Sequence, residues 1–344
     1  NITFIMIINL IIYFIFIFIT YSTCKKFNLF LDAKDHVHKK FASNQKNYFL
    51  GGFFIALILI YEFIEQKDYL YGLFFISIFI IGLLADFKLF NNPKLRLLIQ
   101  ISLLIIFVYI LDIKIPSTRI EIVDILFEND FINYSFTVFC LAILINGSNF
   151  VDGINTLLIN YYIITLSIIL FFLKDANIDQ NFIINLFSLL IIILLFNVFG
   201  QIILGDSGAY ILSLFVGLIL IEISNVNNFI SPYFIILLIW YPCFELLFSM
   251  IRRIVLNFYS YEPDTMHLHQ MILRIINNNL KLKSNNLNHF LAASIINLYN
   301  LFILMIASNY SDKTNTMLVL IVLNITVYIL IYFVLRQKLK PIQN

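Results

Sequence analysis

A dense group of amide and carboxylate side chains occupies NGSNFVDGIN (146–155), between two strongly apolar segments. Asn146, Asn149 and Asp152 follow one another at intervals of three residues, which places them on one face if the segment is helical. Amides can bind a metal ion, or form hydrogen bonds with a base or a sugar, without adding charge near a membrane. A polar loop that caps the following helix is the alternative. Polar groups at a membrane face are costly unless satisfied, so both interpretations stay open from this segment alone.

GDSGAY (205–210) provides a second candidate, because Asp206 lies between glycines where another apolar segment begins. The exposed backbone N–H groups of a helix N-terminus attract phosphate, or a metal ion that bridges phosphate. Mg²⁺ uses few protein carboxylates and completes its coordination with water and phosphate oxygens. Asp206 is therefore the first candidate for a magnesium ligand. Taken alone, the segment favours a structural N-cap, for which Asp is a preferred residue.

Two histidines, His267 and His269, lie in PDTMHLHQMI (263–272), with Arg252, Arg253 and Arg274 nearby in the sequence. Imidazole can donate to phosphate oxygens or transfer protons. Residues at positions i and i+2 do not face each other on a helix, so a helical zinc pair is not expected. These histidines become candidates for a functional role only if they lie on the same membrane face as the other polar clusters.

The polar clusters are exceptions in a strongly apolar chain. Of its 344 residues, 61% are hydrophobic and 12% are charged, and the mean hydropathy is +0.93. Soluble domains are nearer half apolar and a quarter charged. The formal net charge of +2 gives no reason to expect nucleic-acid binding. Because helices satisfy their own backbone groups in lipid, the composition predicts an all-α polytopic membrane protein.

Eleven apolar segments predict about 10–11 transmembrane helices in a single integral-membrane domain, residues 1–344. The segments are 2–22, 49–65, 69–85, 95–111, 131–146, 155–173, 181–199, 208–224, 229–250, 289–308 and 315–335. The first is expected to be a retained span, because it has no basic n-region and no small-residue cleavage site.

The distribution of basic residues predicts the orientation. Most of the 22 Lys and Arg residues follow the first, third, ninth and eleventh segments, which place them on one side of the membrane. That side is expected to be cytoplasmic, with the N-terminus outside and the C-terminus inside. The three clusters then share the cytoplasmic side with DAKDHVHKK (32–40) and ADFKLFNNPKLR (85–96). The stretch 251–288 is predicted as a cytoplasmic loop that carries the histidines.

Carboxylates, amides, histidines and basic residues are thus predicted to converge on one membrane face. This combination suits two phosphorylated substrates and a hard divalent cation, because positioning and electrostatic stabilisation carry most of the catalysis in phosphoryl transfer. One substrate is expected to be a lipid, since a bundle of membrane helices is otherwise an unusual support for soluble chemistry.

In their order, the motifs resemble those of the polyprenyl-phosphate N-acetylhexosamine-1-phosphate transferase family. The motifs are DAKDHVHKK with the following GG (32–52), GLLADF with PKLR (82–96), NGSNFVDGIN, LGDSGAY, and YPCFELLFSMIRR with PDTMHLHQ (241–270). They extend over nearly the whole chain. NGSNFVDGIN and the last group are most similar to the branch that initiates O-antigen synthesis.

The resemblance implies an enzyme that transfers N-acetylhexosamine 1-phosphate from a UDP-sugar to undecaprenyl phosphate and releases UMP. It implies Mg²⁺ as cofactor, with Mn²⁺ able to substitute, and an active site on the cytoplasmic face of the inner (plasma) membrane. UDP-N-acetylglucosamine is the default donor. The lipid product would initiate O-antigen or another cell-envelope glycan, and relatives suggest a homodimer surrounded by membrane lipids.

The resemblance also assigns roles to individual residues. Asp206 matches the metal-binding Asp of the family, and Asn149 matches an Asn that can join it. Asp152 and Asn155 match positions near the nucleotide and its uracil, and Asn146 is expected to bind substrate beside them. Asn155 replaces a common Asp, but an amide can pair with the edge of uracil as well as a carboxylate can.

The remaining assignments concern the phosphate groups. His267 and His269 match the motif that contacts the diphosphate and the sugar. Asp86 matches one member of an acidic pair, and Lys94 and Arg96 follow it, where the family places basic residues for the lipid phosphate.

Ala85 departs from the family pattern, in which two adjacent acids follow the third helix. One role proposed for that pair is to deprotonate or orient the lipid phosphate. We expect Asp86 to suffice, because an acceptor phosphate has a second pKa near about 6 and is largely ionised at neutral pH. A catalytically impaired relative that binds its ligands without turnover is the alternative that Ala85 suggests.

A secondary transporter is the alternative from another functional class, with Glu222 and Glu245 as relay groups inside the membrane. Carriers bind near the bilayer midplane and often contain internal repeats. The sequence shows no such repeat, and its polar groups cluster at one predicted face.

Overall fold

The structure is a computed structural model that describes residues 2–32, 47–172, 180–255, 266–280 and 284–339. Within these ranges the chain forms fourteen α-helices. They are α1 Ile2–Phe27, α2 Gly51–Glu65, α3 Tyr69–Asp86, α4 Pro93–Ile110, α5 Glu121–Phe127, α6 Asp130–Val151, α7 Leu157–Phe172, α8 Gln180–Val198, α9 Gly205–Val226, α10 Pro232–Leu238, α11 Trp240–Val255, α12 Leu268–Leu280, α13 Asn285–Ser308 and α14 Thr314–Lys338. Isolated bridges join Tyr48 to Leu31 and Ile202.

The predicted apolar segments all form helices, in the predicted order. Eight helices of the described ranges are long and apolar enough to cross a membrane, or nine if the bent pair α10–α11 is one span. Helices α2 and α7 are apolar but shorter, with 15 and 16 residues. The prediction of an all-α polytopic membrane protein is confirmed.

Large apolar side chains cover the outside of the bundle. Ile11, Phe18 and Ile19 of α1 are more than half exposed, and so are Val319 and Val322 of α14. Such surfaces would be unfavourable in water, where apolar burial drives folding. In a bilayer they contact lipid instead, and the backbone behind them is satisfied within each helix.

Helix α9 lies in the centre of the bundle and contacts α2, α3 and α6. Glycines allow two of these neighbours to approach its first turn closely. A Cβ atom at Gly52 of α2 would lie 2.3 Å from Ser207 Oγ, and one at Gly82 of α3 would lie 2.3 Å from Ser207 Cα. Gly52 and Gly82 therefore allow α2 and the end of α3 to pack closely against the start of α9.

The stretch 251–288, predicted as a cytoplasmic loop, is largely helical in its described part. Helix α11 extends to Val255, and α12 occupies Leu268–Leu280. The apolar residues Leu268, Met271, Leu273 and Ile276 of α12 are buried, and the helix contacts α13 and α14. Its polar residues lower the average hydropathy, so a search for uniformly apolar spans overlooks an amphipathic helix of this kind.

Candidate active site

Four helices bring predicted site residues to the same end of the bundle. Helix α3 ends with Asp86 and α6 ends just before Asp152, whereas α9 begins beside Asp206 and Arg96 lies in the first turns of α4. The candidate active site is thus assembled from helix termini, where backbone N–H groups and polar side chains reach the edge of the membrane.

Asp86 is bound directly to the N-terminus of α9. Its Oδ1 accepts from the N–H of Asp206 at 2.7 Å, and its Oδ2 accepts from the Ser207 N–H at 3.1 Å and the Ser207 hydroxyl at 2.6 Å. A carboxylate at this position satisfies otherwise unpaired backbone donors and interacts favourably with the helix dipole. Asp86 therefore orients the backbone that carries Asp206.

Gly205 is required at the turn that precedes Asp206. Its φ is +75°, in the left-handed region, and a Cβ atom there would lie 2.8 Å from both carboxylate oxygens of Asp86. Only glycine avoids both the backbone strain and the steric overlap.

We therefore expect Gly205→Ala to lower both stability and activity. The left-handed conformation alone would cost about 1–2 kcal/mol in a non-glycine residue, and displacement of Asp86 would loosen the start of α9. Thermal melting in detergent and product formation would measure the two effects. Gly72→Ala is the matched control, because its Cβ would meet only Phe63 Cβ at an ordinary 3.6 Å. Equal melting temperatures for the two variants would contradict the proposed constraint.

Arg96 forms an ion pair with Asp206. Its Nη1 lies 2.7 Å from Asp206 Oδ2, and both side chains are about a quarter exposed, at 22% and 29%. The guanidinium also lies over the ring of Tyr210, 6.0 Å from its centroid. A residue predicted to contact lipid phosphate thus contacts the predicted metal ligand in this structure.

Asp152 and Asn149 approach the first two turns of α9 from the end of α6. Burial raises the pKa of Asp152 well above its usual value, and the negative charges of Asp206 and Asp86 raise it further, although the Gly205 N–H opposes this. Asn149 Nδ2 lies 3.5 Å from the hydroxyl of Tyr210, one turn after Asp206. Three carboxylates and an amide therefore surround the N-terminus of α9.

These oxygen donors fit Mg²⁺ in kind. The mutual repulsion of the carboxylates is what a divalent cation relieves, and Mg²⁺ requires only one or two protein carboxylates. No group of three or more His, Cys, Asp or Glu side chains is arranged to bind a metal ion within the described ranges.

The histidine motif lies beside the 146–155 segment. His267 and His269 are buried, and their rings stack with centroids 5.5 Å apart. The His267 ring contacts Phe150 edge to face, and a Cβ atom at Gly153 would lie 3.4 Å from His269 Nε2. Neither ring nitrogen of His269 has a hydrogen-bond partner among the described residues. Two motifs separated by more than 100 residues in the sequence are therefore neighbours.

Burial lowers the pKa of His269 to about 4, because its charged form is desolvated; His267 lowers it further and Glu245 opposes the shift. His269 is thus neutral at pH 7. The unfolded chain binds this proton near pH 6.5 and the folded chain does not, so stability should fall between about pH 6.5 and 4, by up to ~3 kcal/mol.

Melting temperatures of the purified protein at pH 7.5, 6 and 5 would test this expectation. His269→Gln does not titrate in this range, so it should lose less stability on acidification than the natural chain. Parallel losses in the two proteins would assign the pH dependence to other groups.

Other predicted residues are less closely connected to this cluster. Asn146 donates to the Ala142 carbonyl of its own helix, and the described part of the chain shows no bond from it to another predicted site residue. Lys94 lies exposed in the first turn of α4. Asn155 donates its backbone N–H to Nδ1 of His289 at 3.4 Å.

The sequence did not single out His289 or the role of Glu245. His289 is a polar residue at the start of a predicted apolar segment, which is the one signal that could have identified it. Glu245 was considered as a relay group of a carrier, yet its Oε1 lies 3.0 Å from Nδ1 of His267. The motif DAKDHVHKK, except Asp32, and residues 263–265 lie outside the described residues.

A cavity of about 410 Å³ opens at the opposite end of the bundle. Its lining includes Glu222 and Asp68 at the ends of α9 and α3, with Phe63, Phe182 and Phe215 as apolar walls. The two acids considered for a carrier, Glu222 and Glu245, therefore lie at different ends of the helices. They do not form one relay within the described residues.

No curated protein of known function shows a significant match to the sequence. Residues 69–224, from the start of α3 to the end of α9, match the family model of glycosyl transferase family 4. This segment contains Asp86, Arg96, Asn149, Asp152 and Asp206. The match supports the family suggested by the motifs and does not distinguish its branches. Together with the membrane helices, the similarity of this segment to glycosyl transferase family 4 supports a membrane sugar-phosphate transferase.

Proposed function

We propose that this protein transfers N-acetylhexosamine 1-phosphate from a UDP-sugar to undecaprenyl phosphate at the cytoplasmic face of the plasma membrane, with release of UMP. The observation that carries the proposal is the convergence of Asp86, Asp152, Asp206, Asn149 and Arg96 at the N-terminus of α9. Anionic phosphates and a divalent cation are the ligands that such a helix terminus with its carboxylates can bind.

Asp206 and Asn149 are the residues that would hold Mg²⁺. The ion would supply positive charge to the transferred phosphoryl group and to the leaving phosphate. Asp86 would keep the start of α9 in place through its three hydrogen bonds to Asp206 and Ser207. Asp152, whose ionisation is opposed by its surroundings, gains its charge more readily when a cation is near.

In the proposed reaction, a phosphate oxygen of undecaprenyl phosphate forms a bond to the phosphorus that carries the sugar. The bond from that phosphorus to the bridging oxygen breaks, and UMP leaves with the bonding electrons. An acceptor phosphate is mostly ionised at neutral pH, so no strong general base is needed. Arg96 would be able to bind a phosphate if a cation took its place at Asp206, since a guanidinium suits phosphate oxygens.

The second acid of the family pattern is not required by this scheme. Ala85 precedes Asp86 in the last turn of α3, and Asp86 forms its three hydrogen bonds to Asp206 and Ser207 without a second acid beside it. The O-antigen branch, a homodimeric state and UDP-N-acetylglucosamine as donor remain parts of the proposal that stand on the motif resemblance.

The test is UMP release by the purified protein in detergent or nanodiscs. Undecaprenyl phosphate, MgCl₂ and a panel of UDP-N-acetyl sugars would be supplied, with MnCl₂ in place of MgCl₂ in parallel. We expect UMP only when the lipid, the cation and one or more donors are all present. No UMP with any donor, beside an active relative measured in the same way, would overturn the proposal.

A further inference from the structure

Glu245 of α11 is a fully buried carboxyl group that contacts the histidine motif. Its Oε1 lies 3.0 Å from His267 Nδ1 and accepts from the Leu268 N–H at 3.3 Å. Its Oε2 accepts from the Tyr328 hydroxyl at 2.8 Å. Both oxygens are therefore used, and α11, the start of α12 and α14 meet at this one side chain.

These contacts determine which nitrogen of His267 carries its proton. An ionised carboxylate can only accept hydrogen bonds, so Nδ1 of His267 must be the donor to Glu245. Nε2 is then the nitrogen that presents a lone pair, or a proton when the ring is charged. A histidine ring is held in one tautomer in this way wherever a carboxylate binds its other nitrogen.

The surrounding polar groups hold the histidine motif against α11. Ser249 Oγ lies 3.1 Å from His267 Nδ1 and accepts from Arg252 Nη2 at 3.2 Å. Arg252 Nη1 donates to the Met266 carbonyl at 2.6 Å and the Tyr332 hydroxyl at 2.9 Å. The residue before His267 is thereby fixed to α11 as well. The histidine motif is attached to α11 through both its backbone and its side chain.

We propose that Glu245 is a positioning residue, which holds His267 as the Nδ1–H tautomer and aims its Nε2 at the phosphates of the substrate. This inference rests on the proposed function, because it assigns His267 a role in phosphoryl transfer. A positioning role for Glu245 also replaces the ion-relay role considered for a carrier. It also explains why a carboxylate tolerates complete burial here, since three donors surround it.

The first experiment measures the tautomer without substrate. Protein labelled with ¹⁵N-histidine would be examined by NMR, with a His267→Asn variant to assign the resonance. We expect Nδ1–H in the natural chain. In Glu245→Gln the amide can donate to Nδ1, so the proton should move to Nε2 in part or all of the molecules. An unchanged tautomer in Glu245→Gln would overturn the inference.

The second experiment measures kcat and KM for UMP release. Glu245→Gln should lower kcat by at least about tenfold, with a smaller change in KM. Glu62→Gln is the matched control, because Glu62 is another acid within a membrane helix that accepts from an amide, Asn185 Nδ2. It should leave kcat within about twofold. A similar loss in both variants would assign the effect to the removal of any intramembrane charge.

Tyr328→Phe separates packing from positioning. It removes the donor to Oε2 but leaves the contact between Oε1 and His267, so the Nδ1–H tautomer should persist and kcat should change little. A tautomer shift in this variant would contradict a specific role for Oε1. If the natural chain releases no UMP, the proposed function fails, whereas the NMR measurement still decides whether Glu245 sets the state of His267.

Discussion

Asp206→Asn is expected to reduce UMP release by at least about a thousandfold, because it removes a charge that acts directly on the reacting phosphates. An amide oxygen can still bind a cation weakly, but it cannot neutralise one. Turnover at saturating substrate, measured over a range of Mg²⁺ concentrations, would show a loss that higher Mg²⁺ does not restore.

Glu222→Gln is the control, because it removes an acid from the other end of the same helix. It should leave turnover unchanged. The folded state should survive Asp206→Asn, since the partly exposed pair with Arg96 contributes only about 0–1 kcal/mol. If Glu222→Gln abolished function while Asp206→Asn did not, the protein would be better explained as a carrier.

Asp86→Asn is expected to have the second largest effect, with a loss of both turnover and stability. Asn has one acceptor oxygen, and its amide hydrogens would face the N–H groups of Asp206 or Ser207. Hydrogen bonds to charged groups contribute about 1.5–3 kcal/mol, so a loss of this order in the free energy of unfolding should follow. Turnover should fall by about 100-fold, because Asp206 then loses its fixed position.

Ser207→Ala provides a graded comparison. It removes only the hydroxyl contact with Asp86 and leaves both backbone contacts. The melting temperature and turnover should therefore lie between those of the natural chain and Asp86→Asn. A Ser207→Ala variant as impaired as Asp86→Asn would show that the hydroxyl itself has a chemical role.

The long apolar helices of this protein could be predicted because their signals are local, whereas the amphipathic α12 could not. Each apolar segment is long enough to be recognised without its neighbours, and GDSG marks the start of α9 by residue type alone. The common face of Asp86, Asp152 and Asp206 followed from the alternation of crossings. These predictions need only the thickness of a bilayer and the direction of the chain.

The contacts within the site could not be predicted in the same way. Asp86 and Ser207 are in contact although they are 121 residues apart in the sequence. Glu245 and His267 are 22 residues apart, and the segment between them includes residues outside the described ranges. No periodicity relates such pairs, since their distances depend on how α3, α9, α11 and α12 pack. The sharp bend of 77° between α10 and α11 is likewise absent from the hydropathy pattern, which reads 229–250 as one segment.

Helix α2 has only 15 residues and starts at Gly51, against the first turn of α9. At 1.5 Å per residue it is about 22 Å long, whereas the hydrocarbon layer is about 30 Å thick. Where such a helix faces lipid, local thinning of the bilayer is one way to accommodate the difference in length. For the lipid acceptor proposed above, a thinner bilayer on that side would bring the phosphate closer to the carboxylates at the start of α9.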